Sequence, residues 1–515
     1  MFEKRDTLNK KKSSSKSIEL DIEKNVQELK QIFEKSADFS YRDIELYNQK
    51  SINVFICFMD GLVKEDSINS YIVKPLMEPD FFNEKQQTVM NNDVFNAVKK
   101  TLLSTSNMKE VETISEVVED VLEGKTAVFI DGYKKAFLIK MLGFESRNVE
   151  EPLTEANVRG PREGFVEVLS VNTALIRRKI NSVNLLFEDM KIGKETKTTI
   201  RISYIKDIAN PEVVEEVKQR LECIETDAIL ESGYIEQFIE DNPYSIFPTI
   251  GNSERPDKVA AKILEGRIAI LTDGTPFVLT VPQVFIETLQ VPEDYYSRPY
   301  LSSLLRIFRI LALFLTIGTP AIFVSVSTFH QEMIPALLLT TMAAAAEQIP
   351  FPTFIEATFM TIIFELLREA GVRLPRPVGS AISIVGALVI GEAAVQAGLV
   401  SAPMVIVVAL TAITGFIVTP LNDAVIIMRF FLLILAGAFG FYGMLIGTFF
   451  IIAHLSSLRS FGTPYLAPIA PVILNEWKDG VVRLPLWLLK SRPQSITWKK
   501  SKRQGPSNKP KRPKA

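Results

Sequence analysis

Residues 301–455 are almost free of charged side chains, and this constrains the fold more than any other feature. The first run, from Leu301 to Phe329, is longer than the roughly 20 residues that a helix needs to cross a bilayer. Further apolar runs follow at 334–349, 353–367, 378–400, 403–421 and 425–454. One layer of helices in a soluble protein could not bury so much continuous apolar surface. The sequence therefore predicts an all-α polytopic membrane domain.

The rest of the chain is expected to divide around this domain. A basic disordered arm with a lead-in helix is predicted at 1–45. Two soluble α/β subdomains follow at 46–157 and 158–295. A membrane domain of about four to six crossings is predicted at 296–460, and a C-terminal segment with a basic tail at 461–515. Asp and Glu outnumber Lys and Arg in the first 300 residues, whereas the remainder is basic. The acidic soluble half argues against nucleic acid as a partner.

Both ends of the chain are predicted to lie in the cytoplasm. The first residues are basic and polar and contain no apolar core of a signal peptide. The tail from residue 490 onward is rich in Lys and Arg, which favours the cytoplasmic side and an even number of complete crossings. Pro350 and Pro352 interrupt a short apolar run, which predicts a broken or re-entrant segment beside a pore or binding cavity.

An internal repeat organises the soluble half. The run 122–127 leads to an Asp-Gly pair at 131–132, and the similar run 264–269 leads to a second Asp-Gly pair at 273–274. In each copy one apolar strand enters the pair and another leaves it, which predicts a hairpin because Asp-Gly tolerates positive φ values. A strand and a helix precede each hairpin, at 51–61 with 65–77 and at 198–207 with 211–223. The sequence therefore predicts two repeated α/β subdomains.

The segment before the first repeat has apolar residues at helical spacing. It predicts one amphipathic helix over 21–48. Cys57 and Cys223 lie in apolar segments and are predicted to be reduced core residues rather than a disulfide.

The soluble half offers little material for catalysis. It has no phosphate-binding loop and no zinc-protease motif, and the whole chain contains only two histidines. We therefore predict that the protein is not an enzyme and needs no metal or cofactor.

One charged motif, at 158–165, lies in the predicted linker between the subdomains, and a second, at 254–258, is interpreted in the same way. Their candidate residues for an interface between the lobes are Arg159, Arg162, Arg255 and Asp257. Arginines in such a linker could bind an anionic ligand. The favoured interpretation is that they pair with neighbouring acids and lock the two lobes together.

Five positions on the predicted helix 353–370 are candidates for lining or gating a pore: Glu356, Met360, Ile363, Leu367 and Glu365. The first four share one helix face, which suits a narrow apolar constriction below an acidic ring, as in a cation pore. A charge at mid-membrane costs roughly 2.5–3.5 kcal/mol, so such residues usually face protein or water. The alternative is that Glu365 pairs with Arg368 or Arg373, and that Glu356 is neutral and hydrogen-bonded in packing.

The last apolar run carries four glycines at close to helical spacing, Gly437, Gly440, Gly443 and Gly447. Small residues on one face let another helix approach closely. We predict a packing seam within the chain or at an oligomer contact.

Several linked motifs resemble the A subunit of GerA-type spore germination receptors. They are VRGPREGF (158–165), ERPDKV (254–259), LEGRIAILTDGTPFVLTVPQVF (264–285), FELLREAGVRLPRPVG (364–379) and GEAAVQAGLVSAP (391–403). The resemblance covers about residues 45–475, and the linked motifs make it specific.

The resemblance implies a location in the inner spore membrane and a complex with a transporter-like B subunit and a lipoprotein C subunit. It also implies a homo-oligomer that forms an ion channel, which opens on nutrient sensing to release monovalent cations. Carried onto this chain, the pore element would be the helix at 353–367. The alternative is a scaffold subunit or a stand-alone SpoVAF-like germination protein, with flux carried by a partner transporter.

Overall fold

The computed structural model describes residues 16–46, 52–77, 94–102, 108–141, 143, 151–152, 154–155, 157–347, 349–373, 391–505 and 508–509. They belong to two compact units. An α/β unit is drawn from Met1–Ile239, Ile250–Val281 and Arg492–Ser501, and a helical unit from Glu240–Thr249, Pro282–Ser491 and Lys502–Ala515. The α/β unit contains two five-stranded sheets and the helical unit contains long apolar helices, which confirms the predicted class of each region.

The first lobe of the α/β unit comprises the described residues of 16–141. Its helices and strands are α1 Ile22–Ile32, β1 Phe39–Leu46, β2 Ile52–Met59, α2 Glu65–Ile68, a π-turn Asn69–Val73, α3 Lys74–Met77, α4 Val94–Leu102, β3 Met108–Val111, α5 Ile114–Leu122, β4 Lys125–Ile130 and β5 Ala136–Lys140. The five strands form one antiparallel sheet in the order β1-β2-β4-β5-β3. Helix α5 buries Val117 and Val121 against it, as its amphipathic spacing requires.

The second lobe comprises residues 165–239 and 250–281. Its elements are α6 Leu169–Lys179, β6 Leu185–Ile192, β7 Thr198–Ile205, α7 Pro211–Glu222, α8 Ser232–Ile239, β8 Gly251–Ser253, α9 Pro256–Leu264, β9 Ile268–Thr272 and β10 Val278–Val281. The sheet order β6-β7-β9-β10-β8 is the order of the first lobe. The internal repeat is thereby confirmed at the level of topology.

The repeat extends to polar contacts that hold each hairpin to a helix. The Asp-Gly turns connect β4 to β5 and β9 to β10, with φ of +83° at Gly132 and +90° at Gly274. Asp131 Oδ1 accepts from the Ile22 amide that opens α1, and Asp273 Oδ1 accepts from the Leu169 amide that opens α6, at 3.2 and 3.3 Å. Each aspartate therefore satisfies an amide that a helix start leaves without an intrahelical partner.

A buried asparagine completes the same device in both lobes. Asn25 in α1 and Asn172 in α6 each exchange two hydrogen bonds with the backbone of the residue six positions earlier, Glu19 and Val166. Helix α1 is thus the counterpart of α6, and each repeat begins with a helix that the sequence motifs alone did not assign to it.

The prediction of one helix over 21–48 is wrong in its second half. Helix α1 ends at Ile32, and β1 pairs with β2 along its whole length, from Phe39 opposite Met59 to Leu46 opposite Ile52. Backbone pairing with a long neighbouring strand outweighs the weak helical periodicity there. The predicted core position of Cys223 is also wrong, because this residue caps the end of α7 and is exposed, whereas both cysteines are free of a disulfide as predicted. Cys57 is buried, and burial raises the pKa of its thiol.

The two lobes are joined through a buried ion pair. Arg177 of α6 donates from Nε and Nη2 to the two carboxylate oxygens of Asp38, at 2.8 and 2.9 Å, and both side chains are about 1% exposed. The same guanidinium donates to the carbonyls of Ser182 and Leu185. Beside it, residues 35–37 pair with Phe187 of β6, which adds a short stretch of first-lobe backbone to the edge of the second sheet.

Part of the basic C-terminal tail packs on the second lobe. Thr497 Oγ1 donates to the Glu265 carbonyl at 2.8 Å, and the Trp498 amide donates to the Ile208 carbonyl at 3.0 Å. Ile496 is buried. Residues 492–501 are therefore a structured part of the α/β unit.

The helical unit has six α-helices among its described residues with named bounds, joined by short 3₁₀ turns. The helices are α10 Glu293–Tyr296, α11 Pro299–Thr328, α12 Ala336–Ala346, α13 Thr353–Arg373, α14 Ala402–Gly415 and α15 Asn422–Ser457; residues 391–396 are also helical. The 3₁₀ turns are Phe285–Leu289, Gln331–Met333, Thr419–Leu421 and Leu486–Leu488, and the short strands β11 Arg459–Ser460 and β12 Thr463–Pro464 follow α15. Two segments, Pro299–Thr328 and Thr419–Ser457, are long and apolar enough to cross a membrane by length and composition.

Helix α15 folds back on itself at Gly440. That residue has φ +58° and ψ −140°, which is not helical. In a straight helix Leu432 and Gly447 would lie about 22 Å apart. Instead, a Cβ on Gly447 would come within 2.6 Å of the Leu432 side chain. The element is therefore a hairpin with arms at 422–439 and 441–457.

The start of α11 is held by buried charges. Arg306 Nε donates to Asp294 Oδ2 at 2.8 Å, and Arg309 donates to both oxygens of the same carboxylate. Arg306 also lies 3.2 Å from Asp479 of the C-terminal segment. These arginines, at the start of the first apolar run, are thus neutralised within the helical unit.

The Arg177–Asp38 pair predicts a large effect of a single substitution. Arg177→Met should destabilise the α/β unit by about 3–5 kcal/mol, because Asp38 would remain buried without a counter-charge. Hydrogen–deuterium exchange of β1 and β6 in the detergent-solubilised full chain would measure it. The matched control is Arg178→Met, at the next residue of α6. Arg178 is partly exposed and pairs with Glu163 at 3.1 Å, so this substitution should cost less than about 1 kcal/mol. Equal exchange in the two variants would contradict a locking role.

The bend at Gly440 predicts that a methyl group is not tolerated there. Gly440→Ala should lower the thermal midpoint of the full chain in micelles, because the required backbone conformation costs an L-residue about 1–3 kcal/mol. Its Cβ would also come within 2.9 Å of Phe329. The control is Gly318→Ala within α11, where the new Cβ meets Ile322 at an ordinary 3.6 Å. A midpoint that falls no further for Gly440→Ala than for the control would refute the hairpin.

Candidate functional site

Helix α13 carries all five pore or gate candidates, and it has two unlike sides. It begins at Thr353, directly after Pro352, which cannot continue a preceding helix. One side packs inside the helical unit. The other side exposes four large apolar side chains at helical spacing, Ile355, Phe359, Ile362 and Leu366, each between 45% and 64% exposed. Sequence reasoning missed this strip, although its i, i+4, i+7, i+11 spacing was the available signal.

Glu356 lies on the inner side of α13 and is only 4% exposed. Its Oε1 accepts hydrogen bonds from the backbone amide and, at 2.5 Å, from the hydroxyl of Ser401. Ser401 is the N-cap of α14, followed by Pro403 in the first turn, which is a common sequence for a helix start. The carboxylate thus lies at the positive end of a helix, where a negative charge is stabilised.

A cavity of about 300 Å³ adjoins this contact. Glu356, Ser401 and Thr353 line one part of its wall, together with Ser327 and Gln331. The remaining described wall is apolar, with Phe323, Ile334, Leu339, Met342, Ala343, Ala346 and Pro403. The sequence predicted a binding cavity or pore near the Pro350 and Pro352 interruption, and this cavity lies beside the start of the helix that follows it.

The other members of the predicted pore face divide between interior and border positions. Met360 is 6% exposed and packs with Val324, Met404 and Leu433. Ile363 and Leu367 are half-buried and border the exposed strip. The sequence placed all four on one lining face; in the structure Glu356 and Met360 instead face the interior of their own chain, because α11 and α14 cover that side of α13.

Glu365 belongs to a cluster of charges between three helices. Arg429 of α15 lies 2.6 Å from its Oε1, and Arg368 lies 2.6 Å from its Oε2. Arg429 is 2% exposed and also donates from Nε to the Thr316 carbonyl of α11 at 3.0 Å. Pairing with Arg368 was one of the sequence alternatives. The partner that sequence reasoning missed is Arg429, a cation inside an apolar run.

The four glycines do not form one seam on one straight helix. A Cβ on Gly437 would overlap the ring of Phe354 on α13, whereas Gly440 is the hairpin bend. Gly443 and Gly447 lie against Leu435 and Leu432 of the opposite arm. The missing side chains therefore let another helix approach closely at three of the four glycines. At Gly437 that helix is α13, and at Gly443 and Gly447 it is the other arm of α15.

The candidates in the α/β unit lie in and beside the linker between the two lobes, the described residues of 151–164. Arg255 is 1% exposed and donates to both oxygens of Asp257, at 3.1 and 2.9 Å, and to the carbonyls of Glu155 and Pro161. It therefore fixes the linker to α9 within the second lobe. Arg162 pairs with Glu151 at 3.0 Å on the surface, and Arg159 is exposed.

Glu155 adds a second contact between the linker and the start of α9. Its carboxylate lies 2.5 Å from Lys258 Nζ and accepts from the hydroxyl of Ser253. Burial raises the pKa of Glu155, but Lys258 and Ser253 lower it further, so the pKa lies below its ordinary value. The linker is thus tied down by charges at neutral pH, whereas Arg177 and Asp38 join the lobes.

Among the residues that the structure describes, no group of three or more His, Cys, Asp and Glu side chains could hold a metal ion. The described site offers a carboxylate at an apolar cavity and charges buried between helices.

Comparison with known proteins gives consistent matches along the chain. The family model of the Bacillus/Clostridium GerA spore germination protein matches residues 27–495. The chain is 43% identical to Spore germination protein KA of Bacillus subtilis (strain 168) over 491 residues, which are 95% of this chain and 89% of that protein. It is 42% identical to the uncharacterized membrane protein YfkQ of the same organism over 504 residues, which are 96% of each.

One solved structure is also similar. It is the crystal structure of the N-terminal domain of the A subunit of the Bacillus megaterium spore germinant receptor GerK3. That chain is 32% identical, and the match covers 53% of this chain and 98% of that one with a TM-score of 0.42.

Proposed function

The chain belongs to the GerA family of spore germination proteins, and on that premise we propose that it is the A subunit of a nutrient-responsive receptor in the inner spore membrane. In this proposal the helical unit spans the membrane four to six times, with both termini in the cytoplasm, and assembles with copies of itself into a channel. The channel opens when nutrient is sensed and releases monovalent cations. A transporter-like B subunit and a lipoprotein C subunit complete the receptor.

The apolar side chains that the helical unit exposes support a membrane position. They include Leu304, Phe308, Leu311 and Phe314 on α11, and Ile434, Phe439, Leu445 and Phe449 on α15. Exposed apolar surface on this scale is unfavourable in water and suits contact with lipid. Each arm of the α15 hairpin is about 25 Å long at 1.5 Å per residue, close to the roughly 30 Å of a bilayer core.

The observation that carries the channel proposal is the two-sided character of α13. Buried polar contacts at Glu356 and Glu365 fix its inner side. Its outer strip, from Ile355 to Leu366, is apolar over three turns and is bordered by Ile363 and Leu367. A helix held in this way is suited to present an apolar constriction to the same helix of neighbouring subunits. Apolar constrictions gate ion flow by excluding water.

The proposal predicts that a polar residue in the strip makes the channel leak. Ile362→Ser should raise potassium release from spores without nutrient about tenfold or more, which corresponds to making the constriction easier to hydrate by about 1.4 kcal/mol. Release would be measured with and without a mixed nutrient supplement, at matched amounts of the protein.

The matched control is Ile452→Ser on the second arm of α15, where the side chain is 54% exposed, compared with 45% for Ile362. It should leave release unchanged if that side chain faces lipid. Parental release in Ile362→Ser spores would place the pathway elsewhere and favour a scaffold role, with flux carried by a partner.

A further inference from the structure

The two oxygens of Glu356 have different surroundings. Oε1 accepts both hydrogen bonds from Ser401. Among the described residues no hydrogen bond ends on Oε2, although the side chain is 4% exposed and lines the cavity of about 300 Å³. This oxygen is therefore an acceptor available to a ligand in the cavity.

The wall of the cavity restricts the charge of such a ligand. Glu356 is the one charged residue among the described residues that line it, and no Lys, Arg or His accompanies it. A cation would therefore find a counter-charge. The carboxylate of an amino acid would find none and would lose its hydration.

The same wall disfavours a bare alkali ion. Sites that strip potassium of water replace its shell with rings of oxygens. Here seven of the lining residues, among them Phe323, Ile334 and Met342, present apolar side chains. Such a wall pairs with hydrocarbon, and a pocket of this size is at the lower end of the range for small organic ligands.

We propose that this cavity is a binding site for a primary alkylammonium ion, a small organic cation with a short aliphatic chain. An ammonium group has three N–H donors. Glu356 Oε2 takes one, and the hydroxyl of Thr353 and the amide oxygen of Gln331 are acceptors on the same wall. The Gln331 amide is held beside the cavity, since its Nε2 donates to the Ser327 carbonyl at 2.9 Å. The aliphatic chain packs against the apolar part.

The probe for this site is carbon-14-labelled n-butylammonium chloride. Equilibrium dialysis against the full chain in maltoside micelles, with protein-free micelles as the blank, should show saturable binding. Affinity should rise about fourfold per methylene from ethyl- to butylammonium, the increment expected when each CH₂ is buried. Potassium chloride at 100-fold excess and 1-butanol should not displace the probe.

Glu356→Gln should weaken binding tenfold or more, because it removes the counter-charge and keeps the shape. Glu369→Gln is the matched control: Glu369 lies on the same helix but is exposed and paired with Arg373, so its exchange should leave affinity within twofold. Ala343→Leu leaves the carboxylate in place and narrows the cavity, so it should shift the preference toward ethylammonium.

Displacement of the probe by potassium would overturn the proposal in favour of an inorganic cation site. Absence of saturable binding, or equal affinity in Glu356→Gln and the parent, would also overturn it. If Glu356→Gln fails to fold, the chain-length preference of Ala343→Leu decides, and an unchanged preference counts against the site. The measurement requires no ion flux, so its failure would leave the channel proposal standing.

Discussion

A guanidinium that is almost completely removed from solvent has to find its acceptors inside the protein, and Arg429 finds them on two other helices. It meets the Glu365 carboxylate of α13 and the Thr316 carbonyl of α11. Where little water is available, separating these groups would leave an uncompensated charge, which costs several kcal/mol. Apolar side chains tolerate sliding past one another, whereas this contact is satisfied at one register. The mutual placement of α11, α13 and α15 therefore depends on it.

The α/β unit follows the same logic in a different setting. Its two sheets have the same strand order, and their apolar faces would not by themselves specify how the lobes are joined. The bidentate contact of Arg177 with Asp38 does, since both groups are buried and each satisfies the other. The Asp-Gly turns act similarly within each lobe, because Asp131 and Asp273 bind the starts of α1 and α6. In both units, buried apolar side chains make up most of the core, and a few buried polar contacts determine how its elements are placed.

The difference between local apolar patterns and long-range polar contacts explains how much of the structure could be predicted from the sequence. The paired Asp-Gly turns, the hairpins that they imply and the apolar half are local patterns, so they were predictable. The partners of Arg177 and Arg429 are not local: Asp38 is 139 residues from the first, and Glu365 is 64 residues from the second. Gly440 looked like its neighbours because a sequence motif does not reveal φ. Glu356 and Glu365 were recognisable as charges in an apolar run, but Ser401 and the exposed strip required knowledge of which side of α13 is covered.

The anchors on α13 also restrict how a channel built from it could open. Rotation of α13 about its own axis would carry Glu356 away from Ser401 and Glu365 away from Arg429, and would bring Ile355 and Phe359 into contact with the interior of the chain. Both carboxylates would then lose partners in a region with little water, at a cost too large for a gate that has to respond to ligand binding. Movement of α11, α13, α14 and α15 as one body keeps every one of these contacts. In the proposed oligomer, opening would therefore change the contacts between subunits, where the strip from Ile355 to Leu366 presents apolar side chains that can separate without breaking a hydrogen bond.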